Sequence, residues 1–164
     1  MYSLSRHVLA RKFKVGDVYS VRRVFTQEDV NTFAKLIGDT NPIHLDREAA
    51  KKAGFPNTIC HGALVGSLFS TIMGMHLPGP QSVYMHQTYQ FTAPVLVGEE
   101  VTATVRIKEF LKERKLLWLE TTITKSAGEP EKPPKVCISG TALGMNKTLE
   151  LEGESTWTYV RPKY

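Results

Sequence analysis

Asp39 and His44 are the residues of this 164-residue sequence best suited to moving a proton. They stand five positions apart in Gly38-Asp39-Thr40-Asn41-Pro42-Ile43-His44-Leu45-Asp46, on either side of a proline bend. A carboxylate beside an imidazole can orient the ring or hold a water between the two, as general acid–base chemistry requires. The same spacing suits a capping and turn network after a helix, so the pair by itself leaves both readings open. Asn41 and Asp46 are the better candidates for turn and cap duty.

A second cluster is His61-Gly62, at the head of a long apolar segment. Free N–H groups at a helix start, with the helix dipole behind them, suit a carbonyl oxygen that becomes anionic, and Gly62 adds steric access. An ordinary glycine near a helix N-terminus accounts for the same residues. His44, His61 and Asp46 are irregularly spaced for metal ligation, and no metal is expected. Cys60 and Cys137 are too few for a disulfide scaffold or a four-thiolate zinc site and read as small core residues. His76 and His86 read as helix-end and strand residues.

The elements that must carry these groups follow from periodicity. Val18–Phe25 has strand composition. Thr26 offers an N-cap, Glu28 and Asp29 favour a helix start, and Val30, Phe33, Ala34 and Ile37 form an amphipathic stripe closed by Gly38. Asp39–Pro42 is expected as a turn, and Arg47–Ala53 as a short helix capped by Asp46 and stopped by Gly54. Gly62–Leu77 is apolar all round and ends at Pro78-Gly79-Pro80, which predicts a helix buried on most sides. Its Gly62, Gly66, Ser70 and Gly74 recur every four residues as a small-residue ridge, serving either close helix–sheet packing or an acyl chain. Strands are expected over Ser82–Phe91, Glu100–Leu111, Leu116–Thr124 and Lys135–Met145, with a hairpin connection at Lys125–Pro134. Helices first and consecutive strands after argue for an α+β fold, an antiparallel sheet around a central helix.

Composition sets the limits. With 41% hydrophobic and 23% charged residues, disorder is excluded as the overall state. No window holds roughly 18 apolar residues in a row, so no membrane span is expected. Residues 53–98 contain no Lys, Arg, Asp or Glu. Unpaired charge is expensive to bury, so this stretch is expected to form the core and line any apolar site. The net charge is +5, and Arg6, Arg11, Lys12 and Lys14 precede the first acid, Asp17. That opening resembles a short mitochondrial targeting segment, here taken as residues 1–13, ahead of a single domain over 14–164. Between 106 and 115, basic residues alternate with Glu109 and Glu113 as on a solvated strand face, which weakens a nucleic-acid reading.

The run G-D-x-N-P-[IL]-H-x-D, followed by H-G and a small-residue-rich apolar helix, resembles the MaoC-like R-specific enoyl-thioester hydratase/dehydratase family, from about Val15 to about Met145. With the basic opening, the resemblance is to the mitochondrial dehydratases of fatty acid synthesis. It implies a hot-dog fold, a long helix wrapped by an antiparallel sheet, as a homodimer. It further implies Asp39 and His44 as the catalytic pair, the Gly62 N–H as oxyanion donor, and His61 and Ser70 as substrate-binding. The implied reaction is reversible dehydration of (3R)-3-hydroxyacyl thioesters of acyl carrier protein or coenzyme A, without cofactor, in the mitochondrial matrix. A hot-dog thioesterase and a non-catalytic RNA-associated scaffold are the competing expectations. Residues 148–164 lie beyond the resemblance.

Overall fold

Eight strands and five short helices follow one another in the computed structural model, which describes residues 12–128 and 133–156. In chain order they are β1 (Lys12–Phe13), β2 (Val18–Val24), α1 (Gln27–Ile37), α2 (Pro42–Leu45), α3 (Arg47–Lys52), α4 (Gly62–Gly66) and α5 (Leu68–Met75). Then come β3 (Val83–Gln87), β4 (Gln90–Phe91), β5 (Glu100–Leu111), β6 (Leu116–Lys125), β7 (Lys135–Met145) and β8 (Glu150–Leu151). The main sheet runs β2-β5-β6-β7-β3, all antiparallel, with β4 also on β7. Most of the basic opening, residues 1–11, lies outside the described residues.

Alternation along the strands decides which face is apolar. Val101, Ala103, Val105 and Ile107 of β5 face Leu117, Leu119 and Ile123 of β6 on the buried side, each fully enclosed. An extra residue, Lys108, bulges between Ile107 and Glu109 and shifts the phase so that Phe110 still points inward. α5 closes this face, packing on β2, β3 and β5 with Phe69, Ile72 and Met73. Burying each such side chain is worth about 1.5–3 kcal/mol. On the opposite face Arg106 and Lys108 flank Glu120 at 3.8 and 3.9 Å with about half of each side chain exposed, a solvated charge ladder.

Three expectations are modified. The helix over Gly62–Leu77 is interrupted at Ser67, whose hydroxyl donates to the Leu64 carbonyl (2.6 Å), and it stops at Met75. It is not buried all round either: Ala63, Ser67, Ser70, Thr71 and Met75 are not enclosed, because the small and hydroxylated residues share the outward side. The strand expected over Ser82–Phe91 keeps to β7 along its length, but its ladder lapses at Thr88–Tyr89, where the Gln87 amide donates to the Thr88 carbonyl (2.6 Å) and to Thr121 Oγ1 (3.0 Å).

The two ends of the described chain meet. β1 pairs in parallel with β8, Glu152 N–H donates to the Phe13 carbonyl (2.8 Å), and Phe13, Leu149 and Leu151 are buried.

Candidate active site

The first helix ends where the chemistry begins. α1 starts with a capping box, in which Thr26 Oγ1 accepts from Asp29 N–H (3.1 Å) and Asp29 Oδ2 accepts from Thr26 N–H (2.8 Å). The side-chain contact with the Thr26 backbone is the largest influence holding the Asp29 carboxyl below its ordinary range. At the other end Gly38 takes a left-handed conformation (φ +82°), and its N–H closes on the Ala34 carbonyl. The expected apolar stripe is narrower than its spacing suggests: Val30 and Ala34 are buried, whereas Ile37 is 50% exposed.

Asp39 follows at the negative end of the α1 dipole, an electrostatically unfavourable place for a carboxylate. The Asn41 N–H donates to Asp39 Oδ1 (3.2 Å), and Asn41 Oδ1 in turn accepts from Ile43 N–H (3.4 Å) to cap α2. Pro42 occupies the first helical position, where its missing N–H costs nothing. The expected turn is therefore a turn plus one helical revolution, and His44 rides on that revolution. Asp46 caps α3 through Glu48 N–H (2.8 Å), as expected, and takes no part in the site.

His44 is held from both sides. Its Nδ1 lies 2.8 Å from the Ile59 carbonyl, so this nitrogen carries the proton and Nε2 is the bare one. Its own carbonyl accepts from Gln27 Nε2 (2.9 Å), and Gln27 Oε1 accepts from the buried Thr58 hydroxyl (2.6 Å). The Thr58–Cys60 segment is anchored to Val95–Val97, where Cys60 N–H donates to the Val95 carbonyl and Val97 N–H to the Thr58 carbonyl. His44 is 8% exposed.

The proline bend does bring the pair together. The Asp39 carboxylate and one imidazole nitrogen each of His44 and His61 all lie within 4.8 Å of one another. His61 sits face to face with His44, ring centres 3.8 Å apart and planes 26° from parallel. A metal takes its ligand from a nitrogen lone pair in the ring plane. Stacked rings aim those lone pairs along parallel planes rather than at one point, so the trio is poorly shaped for ligation. The Asp39 side chain is 48% exposed while that of His61 is 3% exposed.

Beside the pair lies an apolar cavity of about 600 Å³, lined by His44, Gly62, Val65, Phe91 and Ile138 among others. Apart from His44 and Ile138, its wall comes from the charge-free stretch 53–98. Gly62 opens α4, and no acceptor within the described residues takes its N–H. A Cβ there would come within 2.6 Å of the Phe91 ring, so only glycine lets this aromatic wall lie against the helix start. Cys60 also lines the cavity, but burial pushes its thiol up to about 12, which leaves it protonated and non-nucleophilic.

His44 and Gly62 thus face one cavity, with Asp39 beside His44. His61 does not line that cavity, and neither does Ser70, which is exposed on the outer side of α5. Sequence reasoning missed the Ile59 carbonyl that orients His44 and the Phe91 ring against Gly62. Strand alternation located Phe91, whereas nothing in local spacing points to Ile59.

Comparisons with known proteins give the family and the fold. The MaoC-like domain matches residues 12–127. The chain is 45% identical over 93 residues to a mitochondrial 3-hydroxyacyl-[acyl-carrier-protein] dehydratase of Arabidopsis thaliana, covering 57% of this chain and only 55% of that relative. It is 36% identical over 132 residues to an (R)-specific enoyl-CoA hydratase of Rhodospirillum rubrum, covering 80% and 87%. Among solved structures, the (R)-hydratase from A. caviae superposes with a TM-score of 0.76 at 34% identity, over 83% of this chain and 98% of that one. The α+β architecture, an antiparallel sheet around a central helix, is the hot-dog fold of these hydratases.

Proposed function

This chain belongs to the MaoC-like domain family, and from that membership together with the geometry of Asp39, His44 and Gly62 we propose that it interconverts (3R)-3-hydroxyacyl thioesters with trans-2-enoyl thioesters and water. The convergence of a carboxylate and an imidazole beside an apolar cavity that also exposes the start of α4 carries the reading.

In the dehydration direction the thioester oxygen accepts the Gly62 N–H, which stabilises the charge that builds up when C2 loses its proton. The Asp39/His44 pair takes that proton and delivers one to the C3 hydroxyl. The C3–O bond breaks, the C2–C3 double bond forms, and water leaves with no net change in proton count. Reversed, the pair activates water for addition at C3. The bare Nε2 of His44 is the nitrogen free to accept the proton, because Nδ1 is committed to Ile59. Neither hydride nor electrons move, so the reaction requires no cofactor. The acyl chain occupies the cavity, and the thioester is carried by acyl carrier protein or coenzyme A.

Two further elements belong to this reading. Val83 and Met85 on the edge strand β3, with Tyr89 and Phe91 beyond it, are all exposed, which supports pairing with a second copy of the chain. A mitochondrial location is supported by the acid-free basic opening and by two relatives named as mitochondrial 3-hydroxyacyl-[acyl-carrier-protein] dehydratases, and we place the reaction in fatty acid synthesis in the matrix.

The test is to incubate the purified protein with (3R)- and (3S)-hydroxyacyl thioesters and follow enoyl absorbance. Conversion of the R isomer alone is expected. Selective use of the S isomer, or release of free thiol in place of an enoyl product, overturns the proposal.

A further inference from the structure

We infer that His61 is the positioning residue of the site, a single buried ring that fixes Asp39 and His44 relative to each other and to Gly62, rather than a substrate ligand. The inference rests on the catalytic pair proposed above, but its structural part stands without it.

Five observations converge on this ring. His61 Nε2 lies 3.0 Å from the Asp39 carbonyl oxygen, and since a carbonyl only accepts, Nε2 carries the proton and donates. The same nitrogen is 3.8 Å from Asp39 Oδ2. One face of the ring stacks on His44 at 3.8 Å, and Phe33 of α1 makes an edge contact at 5.3 Å, so the ring is wedged between the helix that leads into Asp39 and the short α2 that carries His44. His61 is also the residue before Gly62, as N-cap of α4, so its backbone sets where that amide begins. At 3% exposed and outside the cavity wall, it is screened from any substrate there.

The unused nitrogen sharpens the argument. With Nε2 donating, Nδ1 is a bare acceptor, buried and with no partner among the described residues. A buried acceptor without a partner opposes folding. A phenylalanine would fill the same space, keep the stacking and remove that penalty. What phenylalanine cannot do is hold the Asp39 peptide.

Three variants separate holding from filling. His61→Phe keeps a flat ring without a donor. His61→Gln supplies an amide N–H that can be placed near the Nε2 position. His61→Asn supplies the same polarity on a side chain too short to reach the Asp39 carbonyl. His61→Phe is expected to lower kcat for enoyl-thioester hydration by about 10- to 100-fold, with KM changed by less than about threefold. His61→Gln is expected to recover most of the loss, and His61→Asn to resemble His61→Phe. Independently of activity, amide hydrogen exchange over residues 39–46 is expected to quicken in His61→Phe and His61→Asn relative to His61→Gln and the parent protein. Normal kcat and normal protection in His61→Phe overturn the inference, and so does a loss confined to KM, which marks a direct substrate contact. Should His61→Phe fail to fold, the comparison of His61→Gln with His61→Asn decides. If the parent protein turns over no 3-hydroxyacyl or enoyl thioester, the functional proposal fails while the exchange measurement still decides whether His61 holds the turn.

Discussion

Replacing Asp39 by asparagine separates what this side chain does for folding from what it does for chemistry. In the folded protein its Oδ1 accepts the Asn41 N–H at 3.2 Å, and an amide oxygen can accept the same bond, so the turn survives. The Asp39 carbonyl bonded to His61 belongs to the backbone and is unaffected. The nearby cation candidate, His61 Nε2, is 3.8 Å from Oδ2, and the carboxylate is 48% exposed, so little attraction is lost. Against this, a negative charge just past the C-terminus of α1 opposes the helix dipole by about 0.3–1 kcal/mol, and asparagine relieves it. At roughly 2–4 °C per kcal/mol for a chain of this size, Tm is expected to hold or to rise by about 1–3 °C. Activity moves the other way. Loss of the carboxylate from the acid–base pair lowers kcat by at least about 100-fold, equivalent to about 2.7 kcal/mol of barrier. Thermal melts and crotonyl-CoA hydration measured on one preparation test both halves. Near-normal hydration removes Asp39 from the chemistry, and a fall in Tm of more than about 5 °C shows that the carboxylate is structural.

Other substitutions probe the rest of the site. Gly62→Ala pushes a methyl towards Phe91 Cε1, where 2.6 Å separates them, and because Phe91 is 58% exposed the ring swings aside. Tm is then expected to stay within a few degrees while kcat falls by about tenfold or more, and unchanged kcat would show that turnover does not need the open approach to the α4 amide that glycine provides. The Cys60 thiol, raised to about 12 by burial, is expected to resist iodoacetamide at pH 8 until the protein unfolds; rapid labelling of the native protein contradicts that burial. Asp29→Ala removes half of the capping box and is expected to cost about 1 kcal/mol near neutral pH. Because the folded Asp29 carboxyl lies below its ordinary 3.8, its contribution is present above that value and lost as pH falls through the folded value, so parent and variant melts should converge in acid.

The sequence made some features plain for physical reasons and hid others for equally physical ones. α1 was legible at both ends because its signals are local: Thr26 and Asp29 close a box three residues apart, and Gly38 supplies the left-handed stop. β5 and β7 were legible from alternation, and the Asp39–His44 turn from its asparagine–proline pair. The stacking of His61 on His44 was not, since it depends on the Thr58–Cys60 segment being drawn against Val95–Val97. Ser70 was expected at the site because the family resemblance implied it there, on the same small-residue ridge as Gly62. The interruption at Ser67 and the packing of Leu68, Phe69 and Ile72 inward leave Ser70 facing outward. The absence of charge over residues 53–98 pointed correctly to the cavity wall. It did not reveal that the outer side of the same helices carries neutral residues open to solvent, such as Ser67 and Thr71.

The small parallel pairing of β1 with β8 has a consequence for how far the chain can be shortened. A truncation through residue 13 would strip away Phe13, whose carbonyl receives the Glu152 N–H and whose ring shares the core with Leu149 and Leu151. The trailing segment would lose that rail but keep its bonds at the end of β5, Thr156 N–H to the Phe110 carbonyl (3.1 Å) and Lys112 N–H to Ser155 Oγ (3.0 Å). A shortened chain that keeps both strands paired therefore begins at or before Lys12.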